Sequence, residues 1–301
     1  MASVREMRMR IRSIKNLAQV TRALETVSAS KVRRAIQAND HTKPYAEKAW
    51  KILVHLANQP GRTSLHPLLA ERNQIDKDLV ILISADRGLA GAYNVNIVRH
   101  TLIELKDHDV AFTYITVGRK GRDMLLRRRR PIMAEFSGLS ATPTFAECAP
   151  IGKLAVDEYL AGNYDAILIA YTEFENMLHQ TPTIRQLLPL NPSKLIVPDT
   201  SSDGEREKKG VFSYEPDSEE LLSQIVPRFT GLQIYQAILS AQASEHAARM
   251  VSMRNATDSA KDLISILQLE YNKARQANIT SDMLDISGGA EALTQASTRK
   301  I

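Results

Sequence analysis

Glycine and proline are spread unevenly along the chain, and their distribution constrains the fold more than any single motif. The 301 residues include 13 Gly and 12 Pro, and all but Gly288 and Gly289 fall between Pro44 and Gly231. Neither residue occurs in 1–43 or in 232–287. Both disfavour helix interiors, Gly through excess backbone freedom and Pro through its missing N–H and its ring clash. Two breaker-free arms around a breaker-rich middle therefore predict two long helices flanking an inserted α/β domain. At 1.5 Å per residue the second arm would be about 84 Å long, more than the width of a domain this size, so it is expected to project.

A projecting helix needs a partner. From Leu232 an alternating four–three spacing runs through Gln236, Leu239, Ala243, His246, Met250, Met253, Thr257, Ala260, Ile264, Leu267, Tyr271, Ala274 and Asn278. That spacing is the seam of a two-stranded coiled coil. The first arm offers Leu17, Val20, Leu24, Val27 and Lys31, with Ile11, Ile14 and Ala18 on the adjoining stripe. The two arms are expected to pair antiparallel, because the middle domain joins them at one end. Several seam residues are polar or small, and two readings follow. Either the pair gives up stability to fix its register, or another protein sheathes it for part of its length.

The middle reads as a parallel α/β domain. Asp78–Ser84 and Asp165–Tyr171 are continuous apolar runs, suited to strands buried on both faces. Val110–Val117 and Pro131–Phe136 are further strands, with helices to Lys106, over Gly121–Arg130 and over Thr144–Leu160. Thr181–Leu190 contains Pro182 and Pro189 and reads as an edge strand. Residues 199–210 lack apolar anchors and are expected to form a mobile loop. Asp217 and Glu220 form a capping-box pattern at the start of the last helix. The division predicted is a discontinuous shaft of 1–58 and 211–301 around an α/β domain of 75–198.

Charge excludes a generally basic nucleic-acid binder. The net +5 comes from 39 Lys and Arg against 34 Asp and Glu. Residues 1–39 hold nine bases against Glu6 and Glu25, a net +7, which leaves 40–301 at −2. The Arg-rich start has the composition of a transit peptide, yet the same pattern continues unbroken past Lys31 with no cleavage region, so it is expected to be retained. The single cysteine, Cys148, excludes an intrachain disulfide and a cysteine-based zinc site. The longest apolar runs fall far short of the ~20 residues that span a bilayer. A soluble chain is expected, with docking at a membrane left open.

Candidate chemistry is sparse. The turn over residues 84–94 (SADRGLAGAYN) follows a strand and opens a helix, where phosphates often bind, but it lacks both glycine-rich phosphate-loop spacings. A close strand–helix turn is the preferred reading, with Asp86 and Arg87 pairing locally. Arg127–Arg130 would suit nucleic acid or acidic lipid headgroups; a solvated helix end favoured by the helix dipole is preferred. The seven histidines are scattered without metal-ligand spacing, and Cys148 has no evident base partner. The residues point to a chain without catalytic groups, metal or cofactor. The alternative they leave is a coiled-coil nucleic-acid-binding scaffold, with an α/β nucleotide-binding enzyme behind it.

Residues 271–290 (YNKARQANITSDMLDISGGA) resemble the C-terminal signature of the F-type ATP synthase gamma subunits. Residues 245–258 (EHAARMVSMRNATD) are similar to that family's preceding helix, and residues 12–16, 21–25 and 29–31 to its first. The turn at 84–94 and residues 185–190 (RQLLPL) match its middle domain.

The resemblance implies a central-stalk rotor shaft inside a ring of alpha and beta subunits, with an epsilon subunit and a foot on the membrane c ring. It implies hydrogen ion transport and ATP synthesis by the complex, at the cytoplasmic side of the cell membrane, with no cofactor or active site in this chain. It places Arg275, Gln276 and Thr280 at a beta-subunit catch, and Leu24 and Arg249 at the acidic beta lever. Phe212, Tyr214 and Glu215 fall on foot positions touching the c ring. Three departures stand out: Asp282 replaces a usual Glu, Ala90 a common Cys, and residues 293–301 extend past the usual end. The redox cysteine insert of chloroplast members is missing.

Overall fold

The computed structural model describes residues 4–57, 68, 76–108, 110–190 and 218–298. The expected mobile loop at 199–210, Asp217 of the capping box, and Phe212, Tyr214 and Glu215 lie outside the described residues. Two helices dominate: α1 (Val4–Ala57), continuous through Pro44, and α5 (Ser218–Thr298), continuous through Pro227. Between them lie β1 (Lys77–Ile83), α2 (Tyr93–Glu104), β2 (Ala111–Val117), α3 (Arg119–Arg127), β3 (Ile132–Phe136), α4 (Phe145–Leu160), β4 (Ala166–Phe174) and β5 (Gln180–Leu188). The fold is mixed α/β with a parallel-dominated sheet and a long C-terminal helix.

The sheet order is β3-β2-β1-β4-β5, parallel except for β5, which pairs antiparallel with β4 at the edge. Central β1 is buried on both faces, which is why its sequence is apolar without alternation. Leu79, Ile81 and Ile83 join a core completed by Ile151 and Tyr159 of α4 and by Phe229, Ile234 and Ile238 of α5. Val80 and Leu82 face the opposite core with Ile97 and Val98 of α2 and Leu125 of α3. On β5, Pro182 sits opposite Thr172, where a missing N–H is tolerated at an edge. Gly152 of α4 meets α5 at Gly231, where an added Cβ would lie 3.1 Å from the Gly231 Cα. Two helix-interior glycines thus let the helices approach closely.

The chain divides into two compact units, residues 1–27 with 251–301 and residues 28–250. In the first, burial on α5 follows the predicted spacing: Met253, Thr257 and Ala260 are buried, and Ile264, Leu267, Tyr271 and Ala274 half-buried. Thr257 shares a 2.7 Å hydrogen bond with Thr21, and Arg8 donates to the Tyr271 hydroxyl at 2.7 Å. The two contacts run in opposite chain directions.

The face of α1 is a correction. Leu17, Val20 and Val27, expected against α5, are 56%, 56% and 53% exposed, and Leu24 is half-buried. The adjoining stripe is the covered one: Ile11 and Thr21 are buried and Ile14 and Ala18 half-buried, and in the second unit Ser28, Val32 and Ala35 are buried. The covered face of this arm runs at the same three–four spacing through Ile11, Ile14, Ala18 and Thr21, where the Thr21 hydroxyl bonds that of Thr257, so the Leu17, Val20 and Val27 stripe is left outside.

Candidate functional site

The turn after β1 sits at the carboxyl edge of the sheet, beside the β1–β4 switch point where open α/β sheets usually bind ligands. Here its polar groups are occupied internally. The Ala85 N–H donates to Asn94 Oδ1 at 2.9 Å, and Ser84 Oγ accepts from the Gly121 N–H at 2.8 Å. Gly118 has φ +99, and a Cβ there would fall 2.2 Å from the Ser84 carbonyl oxygen, so only glycine fits. Asp86 does not pair with Arg87: it accepts from the Arg119 and Gly138 N–H groups at 3.1 and 2.8 Å, with the Arg119 guanidinium 3.6 Å away. Two backbone amides offer a carboxylate a fixed seat that an adjacent, solvated arginine does not.

The crevice itself is filled by α5. Tyr93 donates to the Ala241 carbonyl at 3.0 Å, and burial raises its hydroxyl pKa further. Arg249 reaches back to the turn, donating through Nε to the Gly88 carbonyl at 3.3 Å. Its other nitrogens donate to Glu245 at 2.5 Å and to His246 Nδ1 at 3.1 Å. A guanidinium has no acceptor, so Nδ1 must accept and the imidazole is neutral with its hydrogen on Nε2. Burial first, then the positive charges of Arg249 and Lys31, push His246 down to about 4. Burial raises the Glu245 carboxyl while Arg249 opposes it. The Arg249 side chain is only 12% exposed. Sequence reasoning assigned Arg249 to a lever and missed this clamp; the i, i+4 spacing of Glu245 and Arg249 was the available signal.

The catch residues lie in a different setting. Arg275, Gln276 and Thr280 are all exposed, and Thr280 Oγ1 donates to the Gln276 carbonyl at 3.0 Å. Every residue from 275 to 290 is exposed, including Ile279, Met283, Leu284 and Ile286 at 51%, 67%, 67% and 73%. Beside the end of the buried stripe, Arg8, Ile11, Arg12, Lys15, Gln268 and Tyr271 line a groove of about 310 Å³. The Arg8 guanidinium lies 5.6 Å from the Tyr271 ring centre. Among the described residues the groove carries three cations and no acid. Leu24 belongs to this unit and Arg249 to the other.

Two further candidates are explained by the fold. The Arg127–Arg130 run closes α3: the Arg129 and Arg130 N–H groups donate to the Leu126 and Leu125 carbonyls, with Arg129 in the left-handed region at φ +54. Cys148 is 1% exposed, and burial pushes its thiol up to about 11. Among the described residues no helix is long and apolar enough to cross a membrane.

The family model described as ATP synthase matches residues 3–293. The chain is 41% identical over 298 residues to the ATP synthase gamma chain of Roseiflexus castenholzii, covering 98% of this chain and all of that one. It is likewise 41% identical over 294 residues to the gamma chain of Dehalococcoides mccartyi, covering 97% of this chain and all of that one. Its fold is similar to a chain in the OSCP/F1/c-ring structure of the Euglena gracilis mitochondrial ATP synthase, with TM-score 0.66, 21% identity and coverage of 96% and 94%. It is also similar to one in the central stalk/c-ring structure from Tetrahymena thermophila, with TM-score 0.58, 23% identity and coverage of 79% and 99%. None of these matches supports a nucleic-acid-binding scaffold. With a family match over nearly its whole length and gamma-chain relatives covered from end to end, the chain belongs to the ATP synthase gamma chain family.

Proposed function

We infer that this chain is the central-stalk rotor subunit of a proton-translocating ATP synthase, carrying torque between a membrane c ring and a catalytic ring of alpha and beta subunits. The observation that carries this reading is the change along α5: burial at alternating three- and four-residue steps to Ala274, then sixteen residues exposed on every side. Large exposed apolar patches on soluble proteins mark interaction surfaces. In this reading 1–58 and 211–301 form an antiparallel coiled-coil shaft, 75–198 form the foot, and residues 275–290 are enclosed by the alpha and beta ring.

Arg275, Gln276 and Thr280 contact the beta catch, and Leu24 faces the beta lever. Arg249 acts on the lever contact through the turn it holds, because its guanidinium is already occupied. The cationic groove at Arg8, Arg12 and Lys15 suits carboxylates on the enclosing ring. Phe212, Tyr214 and Glu215 touch the c ring, with an epsilon subunit alongside, at the cytoplasmic face of the cell membrane. The chain contributes no active site of its own.

Co-expression with alpha, beta, epsilon and c subunits tests this function. Stoichiometric co-purification that survives moderate salt is expected. A chain that purifies alone and instead binds bare DNA duplex, with affinity falling steeply as salt rises, overturns it.

A further inference from the structure

Over residues 235–249, α5 is held to the sheet unit by side-chain hydrogen bonds to fixed backbone groups. Tyr235 donates to the Pro143 carbonyl at 3.0 Å, Gln242 to Ser140 at 2.8 Å and Arg249 to Gly88 at 3.3 Å. These three residues are spaced seven apart, so they lie close to one line along the helix. Ser240 accepts from the Phe174 N–H at 2.9 Å, and Ser244 donates to the Thr172 carbonyl at 3.1 Å. At ~100° per residue, Ser240 and Ser244 point roughly 140–180° away from Tyr235. Tyr93 grips the Ala241 carbonyl from a further direction.

The arrangement is mechanical. Close packing of Phe229, Ile234 and Ile238 already favours one orientation of α5 about its axis, and directional bonds add to that preference. Hydrogen bonds weaken steeply with misalignment, and their backbone partners here lie in β4 (Thr172 and Phe174), in the turn after β1 (Gly88) and in the segment joining β3 to α4 (Ser140 and Pro143). Two rows on opposite sides of one helix form a couple, which resists rotation about the axis as well as sliding along it. The same crevice in open α/β sheets ordinarily receives a ligand.

We propose that these two opposed rows, with the Tyr93 grip, key α5 against rotation within the α/β unit, and that Tyr93, Tyr235, Ser240, Gln242 and Ser244 are positioning residues for torque transfer. The proposal rests on the rotor reading above. In it, the ligand crevice of the fold has become the socket of a drive shaft, and α5 carries the load onward as one continuous helix.

The test uses the complete membrane-bound complex reconstituted with variants of this chain, measuring ATP hydrolysis and ATP-driven proton pumping side by side. The triple variant Tyr93→Phe, Ser240→Ala, Ser244→Ala removes the second row and the Ala241 grip. At least a twofold fall in protons pumped per ATP hydrolysed is expected, with hydrolysis retained. Tyr93→Phe alone, losing a single hydroxyl, is expected to give a smaller fall of the same sign. Ile238→Val, which trims the core without touching a key, is expected to keep the parental ratio. An unchanged ratio in the triple variant overturns the proposal, and so does an equal fall in Ile238→Val. Failure of the parent chain to co-purify with alpha and beta subunits is a separate result, and it removes the rotor reading together with the keying.

Discussion

Two stretches of α5 share one backbone and face opposite demands. Between 226 and 247 the side chains are mostly buried, and hydroxyls and amides there reach backbone groups of the sheet unit. Between 253 and 274 burial recurs only every third or fourth residue, and from 275 to 290 it is absent. The first stretch is a core element with a fixed orientation. The second is a surface that keeps its helical form through its own backbone and, up to Ala274, through one partner helix. Sequence periodicity reports how many sides of a helix are covered, and it differs between the stretches for that reason.

The widest expected gap comes from truncating one leucine in each. Leu239→Ala, at a fully buried site, is expected to cost about 2–5 kcal/mol. Leu269→Ala, at a site 57% exposed, is expected to stay within about 0.5 kcal/mol. Urea titrations of both variants measure the difference, and equal losses would erase the distinction between the stretches.

A second test concerns pH. His246 sits in the folded chain at about 4 against an ordinary 6.5, so the unfolded state binds more protons between those values. Its contribution is intact above 6.5 and is lost as pH falls towards 4. Asp78, raised to about 6 by burial and by Asp165, acts in the opposite direction over a similar range. Comparison with a variant is therefore needed. His246→Gln is expected to lose about 2 kcal/mol less stability than the parent between pH 7 and pH 5. Parallel pH profiles would remove His246 from the clamp.

The outer stretch offers a finer probe. Thr21→Val is expected to cost about 1 kcal/mol by breaking the Thr21–Thr257 bond. Adding Thr257→Val is expected to cost less than a second full increment, and a double-mutant cycle reads the coupling. The smallest effect on folding is expected from truncation after Ala274, which removes only exposed residues among those described through 290. The thermal transition of the sheet unit should not move, while ATP-driven pumping by the complex falls. Leu24→Lys, on the half-buried part of α1, is expected to lower the pumping-to-hydrolysis ratio more than the yield of complex.

The strands were legible because a doubly buried strand such as Leu79–Ile83 has no polar face to disguise it, and because glycine and proline mark where it stops. The seam of α5 was legible for a related reason, its spacing being geometric. The partner face of α1 was not. Apolarity singles out Leu17 and Val20, whereas the covered stripe is the adjoining one through Ile11, Ile14, Ala18 and Thr21, where a hydroxyl bonded to Thr257 carries no apolar signal. The clamp around Arg249 was hidden because it joins residues more than 150 positions apart through a backbone carbonyl, and every residue type offers one. Arg275, Gln276 and Thr280 were found by likeness alone, since nothing local distinguishes them from any solvated helix.

Cys148 has a consequence of its own. It is the chain's only thiol, buried and held well above the range where thiolates form at neutral pH. A maleimide dye or spin label therefore meets almost no background in the folded protein. A cysteine placed at Ile279 or Ile286 would be the single reactive handle, and the native sequence is already suited to watching one helix turn.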